Sequence, residues 1–293
     1  MPLAPAAALR ANDAYVCSNL AGWPLFAWRD AHGTLRAFHN ICRHQSMPML
    51  KAGCGALEKL RCPYHGWTYA QDGRLTHAAP SVAPDVDELS SIQLESVSIA
   101  SWRGLLFVTT APQDELAGPG ELFGALDARM PDLDEGWEFA GTDQVDLRCN
   151  WKTWLDYGGA LQSPAGSPPI DAGGESSDGD VAVIDGDDGQ STWLWAWPLL
   201  GVHVTHDVVA VSQLVARTMI RSSLERHVFV RAGGDAAAAM ASWQAVGEQS
   251  KRSAEVAHER LAASIDSNVC AASPTSSPAR FGLHAQVRAA LEV

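Results

Sequence analysis

Apolar and polar positions alternate in short runs over the first part of the chain, and turn residues separate these runs. The segment LFAWRDAHGTLRAFHN holds two β-rich runs that flank Asp30 and Gly33, which predicts a hairpin. The segment WTYAQDGRLTH repeats the pattern around Asp72 and Gly73, and RGLLFVTT predicts a further strand. Residues 13 to 112 are therefore predicted to be all-β.

The pattern changes after residue 113. The acidic sequence of residues 113–135 predicts a helix. The segment FAGTDQVDLRCNWKT predicts a strand that leads into a helix beginning at Asn150. Ser, Pro, Gly and Asp dominate residues 163–190, which predicts a long mobile loop. Strands return with STWLWAWPLLGVHVTHDVVAVSQLVA and RHVFVRA. Residues 235–264 predict a long helix with one apolar stripe, formed by Met240, Trp243, Val246, Ala254, Ala257 and Leu261.

Charge and composition narrow the function classes. The formal net charge is −13, from 34 acidic and 21 basic residues, which argues against nucleic acid as a partner. With 46% hydrophobic residues the chain can bury a substantial core. We expect no secretory signal and no membrane span, because no apolar run approaches about twenty residues. The expected compartment is the cytoplasm, where the cysteine thiols would stay reduced.

Two Cys/His pairs carry the strongest chemical pattern. Cys42-x-His44 and Cys62-x-x-His65 are separated by 17 residues in NICRHQSMPMLKAGCGALEKLRCPYHGWTY. Two thiolates for one iron and two imidazoles for the other are the ligand set of a Rieske [2Fe–2S] centre. A structural zinc site is the alternative, although zinc sites usually have Cys-x2-4-Cys or His-x3-5-His pairs. The remaining cysteines stand apart and are expected to be ordinary thiols: Cys17, Cys54, Cys149 and Cys270.

Around these ligands the chain resembles the α subunits of Rieske non-haem iron oxygenases. The resemblance covers residues 15–110 and returns at Asn150–Lys152. It implies an α+β chain, with an all-β Rieske domain over residues 1–115 and an α+β helix-grip domain over residues 116–293. One departure is Gln45-Ser46, where the family usually has Arg-Gly after the first histidine.

The resemblance also implies a second metal site, and this chain lacks its ligands. In the family, a carboxylate follows the Asn of Asn-Trp-Lys after ten residues, and two histidines follow the carboxylate by three and eight residues. These positions hold Ala160, Ser163 and Pro168, and a ligand Asp of the late helix falls on Ser250. No histidine occurs between His77 and His203. The expected cofactor is one [2Fe–2S] cluster, without mononuclear iron.

Three functions follow from this combination. The first is a non-catalytic, electron-transferring subunit of a hetero-oligomeric, trimer-based oxygenase. A catalytically complete α subunit would be its partner, a ferredoxin or flavin reductase its electron donor, and His65 its electron exit. The second is a stand-alone Rieske redox or small-molecule-binding protein. The third is an active oxygenase with unusual iron ligands, for which His203 and His206 are candidates, although a strand would point them to opposite faces.

Other features are predicted to be structural. The indoles of Trp193, Trp195 and Trp197 alternate onto one face of a strand, which indicates core packing, with a substrate-stacking wall as the alternative. His227 and His258 are expected at the surface or in caps. The acidic loop from Asp171 to Asp188 is expected to be solvated; calcium binding is the alternative, but the spacing is not that of an EF-hand.

Overall fold

The computed structural model describes ten stretches of the chain: residues 1–20, 22–79, 91–110, 118–126, 129–156, 164, 175–177, 181–185, 190–196 and 200–266. They fall into two compact units, Met1–Leu122 and Phe123–Val293. The domain boundary predicted between residues 115 and 116 lies outside the described residues and stays a prediction. Within the described part, no helix is long and apolar enough to cross a bilayer.

The first unit contains two antiparallel sheets. The larger has the strand order β1-β10-β9-β4-β3-β2-β5, and the smaller has the order β6-β7-β8. A four-residue helix, α1 (Pro119–Leu122), ends the unit. The strands are β1 (Pro2–Pro5), β2 (Ala14–Leu20), β3 (Trp23–Arg29), β4 (Leu35–His39), β5 (Gly53–Ala56), β6 (Leu60–Arg61), β7 (Thr68–Tyr69), β8 (Leu75–His77), β9 (Ser96–Trp102) and β10 (Leu105–Thr109), with a 3-10 turn at Ala6–Leu9.

Both predicted hairpins form where the turn residues indicated. Between β3 and β4, the Asp30 carboxylate accepts hydrogen bonds from the backbone N–H groups of His32 and Thr34. Between β7 and β8, Gly73 has a φ of 87°, and an added Cβ would lie 2.7 Å from the Phe38 ring. Glycine is therefore required at this turn for its backbone conformation and for space. The hairpin predictions are confirmed.

The second unit is a seven-stranded antiparallel sheet with a long helix packed against it. The sheet order is β11-β17-β16-β15-β14-β13-β12. The helices are α2 (Trp151–Asp156) and α3 (Ala236–Asp266), with a 3-10 turn at Gly124–Leu126. The strands are β11 (Trp137–Leu147), β12 (Glu175–Ser177), β13 (Val181–Asp185), β14 (Thr192–Ala196), β15 (Leu200–Val204), β16 (Val208–Thr218) and β17 (Arg221–Arg231).

Helix α3 lies where the apolar stripe predicted it. Trp243, Val246, Ala254 and Ala257 are buried, whereas Leu261 at the end of the stripe is 36% exposed. At Gly247 the helix comes so close to β11 that an added Cβ would lie 2.9 Å from Val145. The predicted α+β class, a β-rich first part followed by a helix on an antiparallel sheet, is confirmed.

Two local predictions are wrong. Residues 113–135 are not a continuous helix: the described part of this segment holds only α1 and the 3-10 turn, because Gly118, Pro119, Gly120 and Gly124 interrupt it. The predicted loop of residues 163–190 contains β12 and β13, which extend the sheet from β14.

Candidate metal centre

The first Cys/His pair lies on a loop between β4 and β5, residues 41–52, which we call the first loop. The backbone N–H of Cys42 donates to the carbonyl of Met47 at 2.9 Å. The N–H of Ser46 donates back to the carbonyl of Cys42 at 3.0 Å. These two bonds fold the loop into a tight turn that carries His44.

The second pair lies on the turn between β6 and β7, residues 62–67, which we call the second loop. It repeats the same scheme: the Cys62 N–H donates to the Trp67 carbonyl at 2.7 Å, and the Gly66 N–H donates to the Cys62 carbonyl at 3.1 Å. Gly66 has a φ of 71°, and its counterpart Ser46 has a φ of 54°. The two loops are therefore built alike, apart from a serine where the other has glycine.

The structure brings the two predicted cysteines close to each other and the two predicted histidines close to each other. Cys42 and Cys62 are 2% and 3% exposed, and their thiols interact with each other. The rings of His44 and His65 lie 4.7 Å apart, inclined by 68°. Burial raises the pKa of the Cys42 thiol, and the neighbouring Cys62 thiol raises it further, whereas a hydrogen bond with Tyr69 opposes the shift.

One ring nitrogen of this group has the surroundings of a metal ligand. His44 Nδ1 is buried without a hydrogen-bond partner, although its ring is held by stacking on Trp67 at 4.8 Å and 12°. A buried polar atom without a partner is costly, and coordination would remove that cost. Across the described residues, no three His, Cys, Asp or Glu side chains converge as they would on a single ion. Two pairs, one for each iron, fit a [2Fe–2S] cluster.

Tyr69 is a polar neighbour of this group that the sequence did not indicate. Its hydroxyl lies 3.3 Å from Cys42 Sγ and accepts a hydrogen bond from the Arg43 N–H at 3.1 Å. Because a lone pair of the Tyr69 oxygen accepts from Arg43, the hydroxyl proton of Tyr69 can be donated to the Cys42 sulfur. Burial raises the pKa of Tyr69, so the hydroxyl stays protonated. The WTY segment that contains Tyr69 offered no signal for this contact.

His65 marks the outer side of the group. It is half-buried, and the ring of Tyr64, which is 60% exposed, lies 3.9 Å from it. A surface depression next to it is lined by residues 61–66 and Ala79. The imidazole of His65 is thus closer to the surface than the two buried thiols are.

The positions carried over for the mononuclear iron are only partly within the described chain. Ser250 is 1% exposed on the buried stripe of α3. Ala160, Ser163 and Pro168 lie outside the described residues. The position that would hold the ligand Asp therefore faces the protein interior and carries a hydroxyl.

A buried ion pair lies between α3 and the sheet. Arg226 on β17 is 1% exposed and donates to the Asp143 carboxylate at 3.1 Å and to the Trp243 carbonyl at 2.9 Å. Its guanidinium also lies 4.6 Å from the centre of the Trp243 ring. Burial lowers the pKa of Arg226 to about 10, so the side chain is charged at neutral pH. Charged groups and an indole thus fill this part of the interior.

The alternative histidine pair does not converge. His203 is buried, with its ring 4.8 Å from Trp193 and 5.5 Å from Trp243. The side chain of His206 is 80% exposed and lies 2.7 Å from the Asp207 carboxylate.

The other predicted features have mixed outcomes. Trp193 is buried, as core packing requires, whereas the Trp195 side chain, Trp197 and most of the acidic loop lie outside the described residues. His227 is 5% exposed and lies within strand β17, so the prediction of a surface or capping position is wrong for it. His258 is half-buried on α3, with Nδ1 enclosed. Both sit on elements that pack into the second unit.

The paired cysteine and histidine loops lie in the first unit, and the second unit is a helix packed on an antiparallel sheet. Residues 1–100 match the family model described as the Rieske [2Fe-2S] domain. The chain is homologous to the oxygenase subunits of Rieske oxygenases.

Curated relatives illustrate this homology. The chain is 32% identical over 147 residues to the glycine betaine monooxygenase oxygenase subunit of Chromohalobacter salexigens, and the match covers 50% of this chain and 32% of the relative. It is 28% identical over 152 residues to the chloroplastic choline monooxygenase of Beta vulgaris, covering 50% and 34%. The matches thus span about a third of the length of these relatives.

Solved structures extend the likeness to the whole fold. The apo form of the quaternary ammonium Rieske monooxygenase CntA matches with a TM-score of 0.77 at 15% identity, over 99% of this chain and 87% of that one. A naphthalene 1,2-dioxygenase with bound indole matches with a TM-score of 0.65 at 15% identity, over 96% and 76%. At this identity the likeness establishes the fold.

Proposed function

We propose that Cys42, His44, Cys62 and His65 hold a [2Fe–2S] cluster, and that this chain is an electron-transferring, non-catalytic subunit of a hetero-oligomeric Rieske oxygenase. The observation that carries the proposal is the pairing of two complete cluster loops with a second unit that lacks the family's iron ligands at Ala160, Ser163, Pro168 and Ser250. The cluster would accept and pass on single electrons.

The surroundings of the cluster loops support this role. The thiols are buried, and the rings of His44 and His65 are both half-buried. We assign the electron exit to His65, because it lies beside the exposed Tyr64 and lines a surface depression, whereas the His44 ring stacks on Trp67. A ferredoxin or flavin reductase would supply the electrons.

The interior of the second unit supports the lack of a mononuclear iron. Ser250 offers a neutral hydroxyl, which binds Fe(II) far more weakly than a carboxylate or an imidazole does. The iron, the bridging carboxylate and the substrate pocket would come from a catalytically complete α subunit in a trimer-based assembly.

The names of the relatives suggest a substrate class for the complex. Relatives are named for glycine betaine, choline and carnitine, each of which contains a quaternary ammonium group. Another CntA structure gives insight into inter-subunit electron transfer in that protein. We propose quaternary ammonium compounds as the first substrates to test with the assembled complex.

The test is turnover by the purified chain alone. The reduced protein is mixed with O2 and, in turn, glycine betaine, choline and carnitine. Reoxidation of the cluster without any oxidised organic product is expected. A catalytically complete oxygenase subunit, such as the carnitine monooxygenase oxygenase subunit of Escherichia coli, is the positive control. Stoichiometric product from the isolated chain would contradict the proposal.

A second function is favoured by the relatives themselves, because they are catalytic oxygenase subunits. In that case the chain would be an active oxygenase with a different iron ligand set. Such an enzyme would hold a third iron and form product in the same assay.

A further inference from the structure

The two cluster loops are closed in different ways. The second loop is a hairpin turn whose ends are held by the β6–β7 ladder, with Leu60 opposite Tyr69 and Arg61 opposite Thr68. The first loop leaves β4 at His39 and next enters a strand at β5, which pairs with β2 and not with β4. No strand pairing therefore joins the ends of the first loop, which carries Cys42 and His44.

The side chain of Asn40 closes the first loop with hydrogen bonds, in the way that the β6–β7 ladder closes the second loop. Its Oδ1 accepts hydrogen bonds from the backbone N–H groups of Met49 at 3.1 Å and Leu50 at 3.0 Å. Its Nδ2 donates to the Leu50 carbonyl at 2.8 Å. A carboxamide has the same donor and acceptor geometry as a peptide group, so it can stand in for a paired strand residue.

Two further contacts of Asn40 connect it to the neighbouring strands of the sheet. Asn40 Nδ2 lies 3.3 Å from the sulfur of Cys17 on β2, and the Asn40 N–H donates to the Pro24 carbonyl on β3 at 2.8 Å. The side chain is 2% exposed, and its two donor hydrogens and two acceptor lone pairs are all engaged. A buried amide with this complete set of partners is held in one orientation.

We propose that Asn40 is a positioning residue for the iron–sulfur cluster. Its amide fixes the start of the first loop against Met49 and Leu50, and so holds Cys42 and His44 in place opposite Cys62 and His65. The inference rests on the proposed assignment of these four residues as cluster ligands. None of the hydrogen bonds of the Asn40 side chain is made to one of these four residues.

Two substitutions separate the contributions of the amide. Asn40→Ala removes all of the side-chain hydrogen bonds, and Asn40→Asp keeps the two accepted bonds but loses the donors. The matched control is Asn12→Ala, because Asn12 is exposed and its side chain donates to the Ala31 carbonyl in the same unit. Cluster loss is followed as bleaching of the visible absorption in excess chelator, together with the EPR spectrum of the reduced cluster.

We expect Asn40→Ala to lose its cluster at least tenfold faster than the wild-type chain and to broaden the EPR signal. Asn40→Asp should also lose its cluster faster than the wild-type chain, because a carboxylate oxygen would then face the Leu50 carbonyl in place of the donor. Asn12→Ala should lose its cluster at a rate within about twofold of wild type. If Asn40→Ala does not fold, Asn40→Asp carries the test. Wild-type rates and spectra in the Asn40 variants, or equal effects at Asn12 and Asn40, would overturn the inference.

The same samples separate this inference from the proposed function. A wild-type chain that holds no cluster would refute the ligand assignment and, with it, the role of Asn40. If the wild-type chain holds a full cluster and the Asn40 variants lose theirs no faster, only the role of Asn40 is refuted.

Discussion

At the scale of single residues, the Tyr69 hydroxyl beside Cys42 is the contact with the most direct consequence for electron transfer. Once iron is bound, the Cys42 sulfur is a thiolate that can only accept hydrogen bonds, so Tyr69 must donate. Hydrogen bonds to cluster sulfurs stabilise the reduced, more negative state and raise the reduction potential.

Tyr69→Phe should therefore lower the reduction potential of the cluster. A hydrogen bond worth about 1 kcal/mol corresponds to about 40 mV, since a tenfold change corresponds to about 59 mV for one electron. Redox titration followed by EPR measures the shift. Tyr64→Phe is the control, because it keeps the aromatic ring beside His65 and removes only an exposed hydroxyl. An unchanged potential in Tyr69→Phe would show that the hydroxyl does not donate to the sulfur.

Ser46 carries backbone strain that its counterpart avoids. A left-handed conformation costs a residue with a Cβ about 1–2 kcal/mol, and Ser46 adopts it with a φ of 54°. Ser46→Gly should raise the free energy of unfolding by about 1 kcal/mol, because the flexibility of glycine in the unfolded chain offsets part of the gain. Urea unfolding of the cluster-loaded protein, followed by visible circular dichroism, measures this change.

Gly66→Ser is the matched variant in the second loop and should be destabilising. Its φ is 71°, and a new Cβ would lie 3.2 Å from the Arg61 guanidinium. A loss of stability in Ser46→Gly would contradict the account of strain in the first loop.

The two Cys/His pairs could be identified from the sequence as candidate cluster ligands, because residue type and spacing suffice to indicate them; their assignment as ligands stays a prediction. Tyr69 and Asn40 could not be predicted as their neighbours. Tyr69 is 27 residues from Cys42, and a tyrosine next to a β-turn has many possible environments. Asn40 directly precedes the loop, yet its role depends on how β4 ends and on where residues 49 and 50 return.

At the scale of elements, the β11–β17 ladder encloses an ionisable side chain. His227 is opposite Thr142 in the register, and its Nδ1 lies 3.0 Å from the Thr142 hydroxyl. Glu225 approaches Nε2 at 3.9 Å. Burial lowers the pKa of His227 to about 4, from an ordinary value of 6.5.

This shift predicts a pH dependence with a definite sign. The folded protein favours neutral His227, so its contribution to stability is complete above pH 6.5 and is lost as the pH falls towards 4. Between pH 7.5 and 5 the loss should be about 2 kcal/mol, at about 1.4 kcal/mol for each unit. His227→Gln should remove this part of the pH dependence in urea unfolding, whereas His206→Gln, at an exposed position, should not. Equal pH dependence in wild type and His227→Gln would contradict the burial argument.

Elements with strong periodicity could be predicted, and elements without it could not. The stripe of α3 and the turns at Asp30 and Gly73 identified their elements. Strand β12 has the sequence ESS within a polar segment, so only its pairing with β13 makes it a strand. The acidic segment before Trp137 has helix-forming residues, but its glycines and prolines limit the helix to one turn.

At the scale of the whole molecule, the chain consists of a first unit that matches the Rieske domain and a second, helix-on-sheet unit. The first unit has two similar loops, which bring Cys42 close to Cys62 and His44 close to His65. In the second unit Ser250 on α3 is buried, and we propose that it occupies the position of a ligand Asp in catalytic subunits. The Asn-Trp-Lys motif also has a structural use: the Asn150 side chain accepts from the Lys152 N–H at 2.9 Å and donates to the Met219 carbonyl at 2.8 Å. These two hydrogen bonds give the motif a role in local structure that does not depend on a bound metal.

Iron and acid-labile sulfide per chain, measured on anaerobically purified protein, decide whether the chain holds a [2Fe–2S] cluster alone or a mononuclear iron as well. Two irons and two sulfides per chain are predicted, which corresponds to a [2Fe–2S] cluster without a mononuclear site. Three irons and two sulfides would contradict the account, because a mononuclear iron would then be bound despite Ala160, Ser163, Pro168 and Ser250.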